Sequence, residues 1–218
     1  MSRAGSRASS GLADRFDWRN PPHAVVVLII LIISLLFGFL FDLACRGVER
    51  ISYPRRFREY VEANASRFDV PEEILYAVMR TESGFDSAAE SSAGAVGLMQ
   101  LMPDTFRWLT QDVLHEYLED GMRYDPETSI RYGACLLSRY YLHFGRWDLA
   151  IAAYNAGDAR VDSWLADESL ADGNGGLKSI PYRETRRYVS RVQKTVRIYE
   201  KLYEQKEKNS VQRVSALR

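Results

Sequence analysis

A glutamate on the apolar face of a predicted helix is the residue best suited to acid–base chemistry. Glu82 follows Leu75 and Val78 by seven and four residues, so the three side chains lie on one helical face. Burial disfavours a charged carboxylate, and so does a position in the last turn of a helix. Both effects raise a carboxyl pKa towards neutral pH, where a general acid works best. The alternative is that the helix ends before Glu82, which is then a solvated surface residue.

Two further segments could complete a site around such a carboxyl. Gly94 and Gly97 predict tight backbone turns or the close approach of a ligand. The amide of Gln100 can both donate to and accept from an N-acetyl group, and Tyr154 and Asn155 end a predicted helix. Taken singly, these segments can also be interpreted as a turn, a surface amide and a helix cap, with no function in a site.

In combination, four segments resemble the catalytic domain of the family-1, or Slt-type, lytic transglycosylases. They are Glu82-Ser83, Gly97-Leu98-Met99-Gln100, Ala153-Tyr154-Asn155 and the stretch from Ile180 to Val189. The segments follow the order of the family, and the resemblance covers about residues 55–203. The family fold implies an all-α, lysozyme-like domain, of the kind shared by Slt and goose-type lysozyme, with a substrate cleft.

The resemblance also implies a reaction, which is cleavage of the β-1,4 bond between N-acetylmuramic acid and N-acetylglucosamine in peptidoglycan. Glu82 would be the catalytic acid and base, and Tyr154 would form a hydrogen bond near its carboxyl. The residues that would contact the substrate are Ser83, Met99, Gln100, Tyr154, Asn155 and Tyr199. The family often has an acidic residue before the Ile180-Pro181 pair, where this chain has Lys178 and Ser179.

The carboxylates within these motifs favour one mechanism. Most glycosidases use two, an acid and a nucleophile or base, whereas here only Glu82 lies in a motif, and Asp86 and Glu90 match no catalytic position. A single carboxyl can protonate the glycosidic oxygen and then accept the proton of the C6 hydroxyl, which closes on C1 to leave a 1,6-anhydro end. The alternatives are a lysozyme-like hydrolase, with Asp86 or Glu90 as base, and a catalytically inactive peptidoglycan-binding scaffold. Exo and endo cleavage are not distinguished.

Helical periodicity predicts that an all-α domain over residues 53–206 positions this site, followed by a polar tail at 207–218. Pro71 marks the start of the helix that carries Glu82, with Asp69 as its cap, and Pro103 and Pro126 mark two later starts. The last helix has an apolar inner face, and we interpret its other face as solvated. The alternative is that this other face contacts anions of the cell wall or of the membrane. The cations on that face are Arg183, Arg186, Arg187, Arg191, Lys194 and Arg197.

An uncharged apolar run precedes the domain. Residues 24–41 read AVVVLIILIISLLFGFLF, and as a helix they would cover about 27 Å, close to the ~30 Å of a hydrocarbon core. They predict a single-pass signal-anchor, with a flexible cytoplasmic tail at residues 1–23 and a linker at 42–52. Ala44-Cys45 leaves lipoprotein processing or cleavage open, although Asp42 stands where that signal requires an aliphatic residue.

Composition excludes other classes of function. Lys and Arg total 29, as do Asp and Glu, so charge gives no case for a nucleic-acid partner. Two cysteines, Cys45 and Cys135, are too few for a disulfide framework, and Cys135 is expected in the core. The three histidines are scattered along the chain, so no metal site is predicted, and no cofactor is expected. The expected partners are peptidoglycan strands and the membrane; no protein partner is indicated. Arginines flank the apolar run on both sides, so the distribution of positive charge does not indicate the orientation in the membrane. The expected reaction on peptidoglycan is what predicts that the domain lies on the cell-wall side.

Overall fold

The computed structural model describes residues 23–204 of a chain that divides into two compact units, Met1–Ser52 and Tyr53–Arg218. The predicted tails therefore lie outside the described residues, except for His23. In the first unit, helix α1 spans His23–Ser52 and includes the predicted linker at residues 42–52. Its Val25–Ser52 part contains an 18-residue stretch with mean hydropathy 3.0 and no buried residue, so it is long and apolar enough to cross a membrane.

The second unit is helical. Its α-helices are α2 (Arg58–Phe68), α3 (Glu72–Glu82), α4 (Pro103–Trp108), α5 (Pro126–Phe144), α6 (Trp147–Ala156), α7 (Asp158–Leu165) and α8 (Arg183–Tyr199). Short π-helical segments at Leu109–Val113 and Glu200–Glu204 continue α4 and α8, and a 3-10 turn at Asp120–Tyr124 precedes α5. Within residues 23–204, pairing between extended segments is limited to isolated bridges. The all-α prediction is confirmed.

Two of the predicted helix starts are confirmed and one predicted cap is wrong. Pro103 and Pro126 are the first residues of α4 and α5, where a missing N–H costs no hydrogen bond. Asp69, predicted to cap α3, instead ends α2 in a left-handed conformation (φ +53°), and its N–H donates to the Ala65 carbonyl. Pro71 takes the capping position of α3. The prediction failed because the link between α2 and α3 is short, and Asp69 lies in the turn between the two helices.

Helix α3 is the element that positions Glu82. The predicted apolar stripe is buried, with Leu75, Val78 and Met79 each at 0% exposure. Helix α3 packs more extensively against α8 than against any other helix, and the predicted inner face of α8 is buried at Val192 and Tyr199. The last turn of α3 is therefore held between the core and α8. The core also includes Cys135, as predicted.

Candidate active site

Glu82 is the last residue of α3 and is partly buried. The Tyr188 hydroxyl of α8 donates a hydrogen bond of 2.6 Å to its Oε1. Burial raises the pKa of Glu82 to about 7, and the Tyr188 hydrogen bond and the positive charge of Arg191 offset part of that rise. Near neutral pH the carboxyl therefore exists in both protonation states, so it can donate a proton and later accept one. The alternative interpretation, in which the helix ends before Glu82, is therefore wrong.

Tyr188 is a site residue that the sequence analysis missed. Its side chain is only 3% exposed, and burial together with the Glu82 charge raises the pKa of its phenol well above the ordinary value. The hydroxyl therefore keeps its proton and acts as a donor to Glu82. The available signal was its place in the fourth motif, the stretch from Ile180 to Val189.

Ser83 and Tyr154 join three of the motifs through backbone contacts. The Ser83 hydroxyl donates to the Leu98 carbonyl at 2.9 Å, and the Tyr154 hydroxyl donates to the Met99 carbonyl at 2.8 Å. Burial raises the pKa of Tyr154 well above its ordinary value, and the charge of Glu82 adds to that rise. Both side chains hold the 97–100 loop beside Glu82, in addition to any contact with substrate.

The loop of residues 97–100 is held from within as well. Gln100 adopts a left-handed conformation (φ +48°), and its Nε2 donates to the carbonyls of Ala89 and Gly97, both at 3.1 Å. Met99 is fully buried, and its N–H donates to the Ser129 hydroxyl at 3.1 Å. These predicted substrate-binding side chains therefore shape the loop, and the Gln100 nitrogen already has backbone partners.

A buried arginine supports the same loop and was not found from the sequence. Arg123 is 5% exposed, and its Nη1 donates to the carbonyls of Gly94 (3.1 Å) and Leu101 (2.8 Å). Its Nε donates to Asp120 at 2.9 Å, which neutralises the buried charge. The guanidinium thus spans both ends of the loop. No motif marked this residue, because its partners are distant in sequence.

The structure does not bring Tyr199 to Glu82. Its hydroxyl donates to the Pro54 carbonyl at 3.0 Å, and its ring stacks on Tyr76 with 5.2 Å between centroids. Tyr188 occupies the place beside the carboxyl instead. Asn155 is exposed at the end of α6. Lys178, which precedes the Ile180-Pro181 pair, donates to the Glu168 carbonyl at 3.0 Å.

The two carboxylates named as possible second catalytic groups, Asp86 and Glu90, are exposed and form local hydrogen bonds. Asp86 accepts from the Ala88 N–H at 2.9 Å, and Glu90 accepts from the Tyr124 hydroxyl at 3.2 Å. Over residues 23–204, the groups that shift the pKa of Glu82 are Tyr188 and Arg191, and no carboxylate is among them. Among the described residues, the pKa of Glu82 is therefore shifted by burial, a phenol and a guanidinium, and not by a second carboxylate.

The hydrogen bond from Tyr188 yields a direct prediction. Tyr188→Phe removes a donor that stabilises the ionised carboxyl, so the pKa of Glu82 should rise above about 7, by roughly one unit. Carbon-13 NMR titration of labelled glutamate side chains measures the change. Tyr199→Phe is the matched control, because it loses a hydroxyl on the same helix that bonds to Pro54, and it should leave the Glu82 titration unchanged. An unchanged or lower pKa in Tyr188→Phe would contradict the assignment.

Comparisons with known proteins agree with this geometry. The family model described as the transglycosylase SLT domain matches residues 59–174. The soluble lytic murein transglycosylase of Escherichia coli K12 is 34% identical over 143 residues, which cover 64% of this chain and 22% of that protein. The membrane-bound lytic murein transglycosylase D of the same strain is 27% identical over 135 residues, covering 61% of this chain and 29% of the relative.

Solved structures show the same likeness. An inactive mutant of the lytic transglycosylase Slt from Pseudomonas aeruginosa is 35% identical with a TM-score of 0.63, covering 70% of this chain and 25% of that one. The 70-kDa soluble lytic transglycosylase of Escherichia coli gives 32% identity and the same TM-score and coverage. The predicted lysozyme-like fold is confirmed. The chain spans 22 to 24% of the length of the soluble relatives from Escherichia coli and Haemophilus influenzae.

Proposed function

The chain belongs to the transglycosylase SLT domain family, and from this premise we propose that it is a peptidoglycan lytic transglycosylase with Glu82 as its acid and base. The substrate would be the β-1,4 bond between N-acetylmuramic acid and N-acetylglucosamine. The observation that carries the proposal is the Glu82 carboxyl with a pKa of about 7, hydrogen-bonded by Tyr188. The relatives named as lytic murein transglycosylases support the reaction class.

The proposed reaction begins with proton transfer from Glu82 to the glycosidic oxygen. The bond between C1 and that oxygen breaks, the N-acetylglucosamine leaves as an alcohol, and positive charge develops at C1 of the muramic sugar. The Glu82 carboxylate, which accepts the Tyr188 hydrogen bond, then takes the proton of the C6 hydroxyl. The C6 oxygen bonds to C1, so no water is consumed and Glu82 is protonated again. The tethered hydroxyl is favoured over water because it needs no bimolecular encounter.

The remaining residues would position this chemistry. Tyr188 orients the carboxyl and stabilises its ionised form between the two proton transfers. Ser83 and Tyr154 hold the 97–100 loop against the end of α3, and Asn155 is exposed at the end of α6. A single carboxyl in the described site supports transglycosylation over hydrolysis, which needs a base for water.

The products test the proposal. The full chain in detergent should release fragments of murein sacculi that end in 1,6-anhydromuramic acid, each one water lighter than a hydrolysis product, and mass spectrometry distinguishes the two. Reducing ends would instead show a lysozyme-like hydrolase. Absence of any cleavage would favour an inactive binding scaffold.

We further propose that α1 anchors the chain, with residues 24–41 crossing the membrane once and the enzyme domain on the cell-wall side. Support comes from the length and hydropathy of the helix and from relatives named as membrane-bound. The side is inferred from the substrate, which lies outside the membrane. Residues 1–23 would then be cytoplasmic.

Cysteine labelling tests this topology, because Cys45 is exposed just after the apolar run and Cys135 is buried. In intact spheroplasts a membrane-impermeant maleimide should label the wild-type chain and not a Cys45→Ser variant. Labelling that requires lysis would place the domain inside the cell. Lack of reaction at residue 45 even after denaturation would show that this thiol is modified or removed, as in the lipoprotein alternative.

A further inference from the structure

A groove that takes no part in the proposed mechanism lies where the starts of α3 and α6 meet the last turns of α8. Its volume is about 330 Å³, in the lower part of the range for protein pockets. The apolar part of its lining consists of Ile74, Trp147, Ile151 and Val196. Glu73, which also lines the groove, precedes Glu82 by nine residues, or about 14 Å along α3. The groove is therefore at the other end of α3 from the catalytic carboxyl.

Two carboxylates of this groove have no cation of their own. Glu73 and Glu200 are both partly buried, and they form no ion pair among residues 23–204. Burial raises the pKa of Glu73, and the charges of Glu72 and Glu200 add to that rise. Arg197 also lines the groove, but it is ion-paired with neither carboxylate. Two negative charges that repel each other therefore face one cavity.

The helix dipole explains only part of this arrangement. Glu73 and Asp148 lie in the first turns of α3 and α6, where negative charge is favourable. Asp148 is in addition paired with Arg146 at 2.9 Å. Glu200 lies where α8 passes into its π-helical continuation, near the end of the helix at which negative charge is unfavourable. A cation bound between Glu73 and Glu200 would remove their repulsion, so the arrangement favours a positively charged ligand.

The apolar lining suits the same ligand. The indole of Trp147 stacks on Tyr141, with 4.2 Å between ring centroids, and is held in place by that contact. Ile74 and Ile151 are only 4% and 2% exposed, so they belong to the rigid core. An indole is the aromatic group that attracts cations most strongly, and the stems of lysine and arginine pack on apolar surface while their charge stays outside. The groove thus matches an aliphatic chain that ends in a positive charge.

We propose that this groove, which we call the acidic groove, binds a segment of a partner protein in which a lysine or arginine stands next to aliphatic side chains. Charge complementarity selects this occupant, because Glu73 and Glu200 repel an anionic membrane surface, a nucleic acid or an acidic chain. A free small amine would neutralise the two carboxylates but would leave much of the apolar lining in water. The acidic groove adds a docking site to the proposed enzyme, and it does not depend on the reaction at Glu82.

Selection from a peptide library tests the proposal. A phage library of random short peptides is first depleted on Glu73→Gln/Glu200→Gln chains and is then selected on wild type, with full chains in a neutral detergent. Isothermal titration calorimetry measures the affinity of the selected peptides for both chains and for a control, Glu59→Gln/Glu127→Gln. The control removes two exposed carboxylates outside the groove, so it changes the net charge by the same amount.

The selected peptides should carry a lysine or arginine beside leucine, isoleucine or valine. Their affinity should be at least about tenfold lower for Glu73→Gln/Glu200→Gln, as expected for lost charge-assisted contacts, and unchanged for the control. Selection of no peptide, or of peptides without a cation, would overturn the proposal. An equal loss in the control would also overturn it, because the attraction would then be to negative charge in general. Displacement of the peptides by equimolar spermidine would assign the groove to free amines instead.

Photocrosslinking tests where the peptides bind. A benzophenone amino acid in place of Gln193, which lines the groove, should capture a selected peptide on illumination. The same group in place of Glu168, an exposed residue outside the groove, should not. Capture at residue 168 and not at residue 193 would contradict the assignment. Binding is measured without substrate, so the result stands whether or not the chain cleaves peptidoglycan.

Discussion

Glu82→Gln is expected to lower cleavage of peptidoglycan by at least about a thousandfold, the upper part of the range for a lost general acid–base. The amide keeps the shape of the side chain and can still accept the Tyr188 hydrogen bond, but it can neither donate the proton nor take it back. Both steps of the proposed reaction fail together. Rates of release of anhydromuropeptides from sacculi measure the loss, and near wild-type activity would remove Glu82 from the mechanism.

The same variant is expected to be more stable than wild type, and increasingly so as the pH rises. The pKa of Glu82 is about 7 in the folded chain against an ordinary value of 4.5. Below the ordinary value both states hold the proton, so the glutamate costs nothing. Between the two values the unfolded chain ionises first, which lowers the free energy of unfolding until the folded pKa is passed. Above it, the gain of Glu82→Gln should level off at about 3 kcal/mol.

Thermal unfolding at a series of pH values measures this gain. Glu90→Gln, which alters an exposed carboxylate in the following loop, is the control and should show no comparable growth. A melting-temperature difference that stays constant or shrinks as the pH rises would contradict the burial of the Glu82 charge. A variant that is less active and more stable than wild type would show that Glu82 lowers the stability of the domain while it performs the chemistry.

Gly97→Ala is expected to destabilise the domain more than any other single methyl addition in the site. A Cβ at this residue would lie 2.1 Å from the carbonyl oxygen of Arg123 and 3.1 Å from the Ser129 hydroxyl oxygen. The backbone φ of +77° is also unfavourable for an L side chain. Because the obstacle is backbone of a buried residue, the loop must move. The expected loss is roughly 3 to 5 kcal/mol, or a melting temperature lower by about 10 °C.

Gly94→Ala is the matched control for this change. Its φ is +85°, but a Cβ there meets no atom within 4 Å, so only the conformational cost of about 1 kcal/mol applies. Thermal unfolding compares the two variants. Equal losses would show that φ alone matters at residue 97. A larger loss in Gly97→Ala should be accompanied by lower activity, since the displaced loop carries the carbonyls that Ser83 and Tyr154 hold.

The sequence was sufficient for the features that follow from local rules. The spacing of Leu75, Val78 and Met79 predicted the buried stripe of α3, because helical periodicity decides which side chains share a face. Proline at the starts of α4 and α5 was predictable because its fixed φ and missing N–H suit a first turn. The same kind of reasoning failed at Asp69, where the turn that ends one helix competed with the cap that begins the next.

Tyr188 and Tyr199 show where local rules stop. The two residues are eleven positions apart, close to three helical turns, so both lie on the inner face of α8 and periodicity cannot separate them. Which hydroxyl meets Glu82 depends on where α8 crosses α3. The structure brings Tyr188 to Glu82 over a separation of 106 residues and sends Tyr199 to Pro54 over 145.

The sequence by itself therefore determined the helices, their apolar faces and the candidate anchor, all of which depend on neighbours within a few turns. It also proposed Glu82 as the acid, from motifs spread along the chain. Only the tertiary structure decided how that acid is held. The raised pKa of Glu82 is set by burial under α8 and by the Tyr188 hydroxyl, and the 97–100 loop is set by Arg123, Ser83 and Tyr154. Such contacts join residues far apart in the chain, and their geometry follows from how whole helices pack.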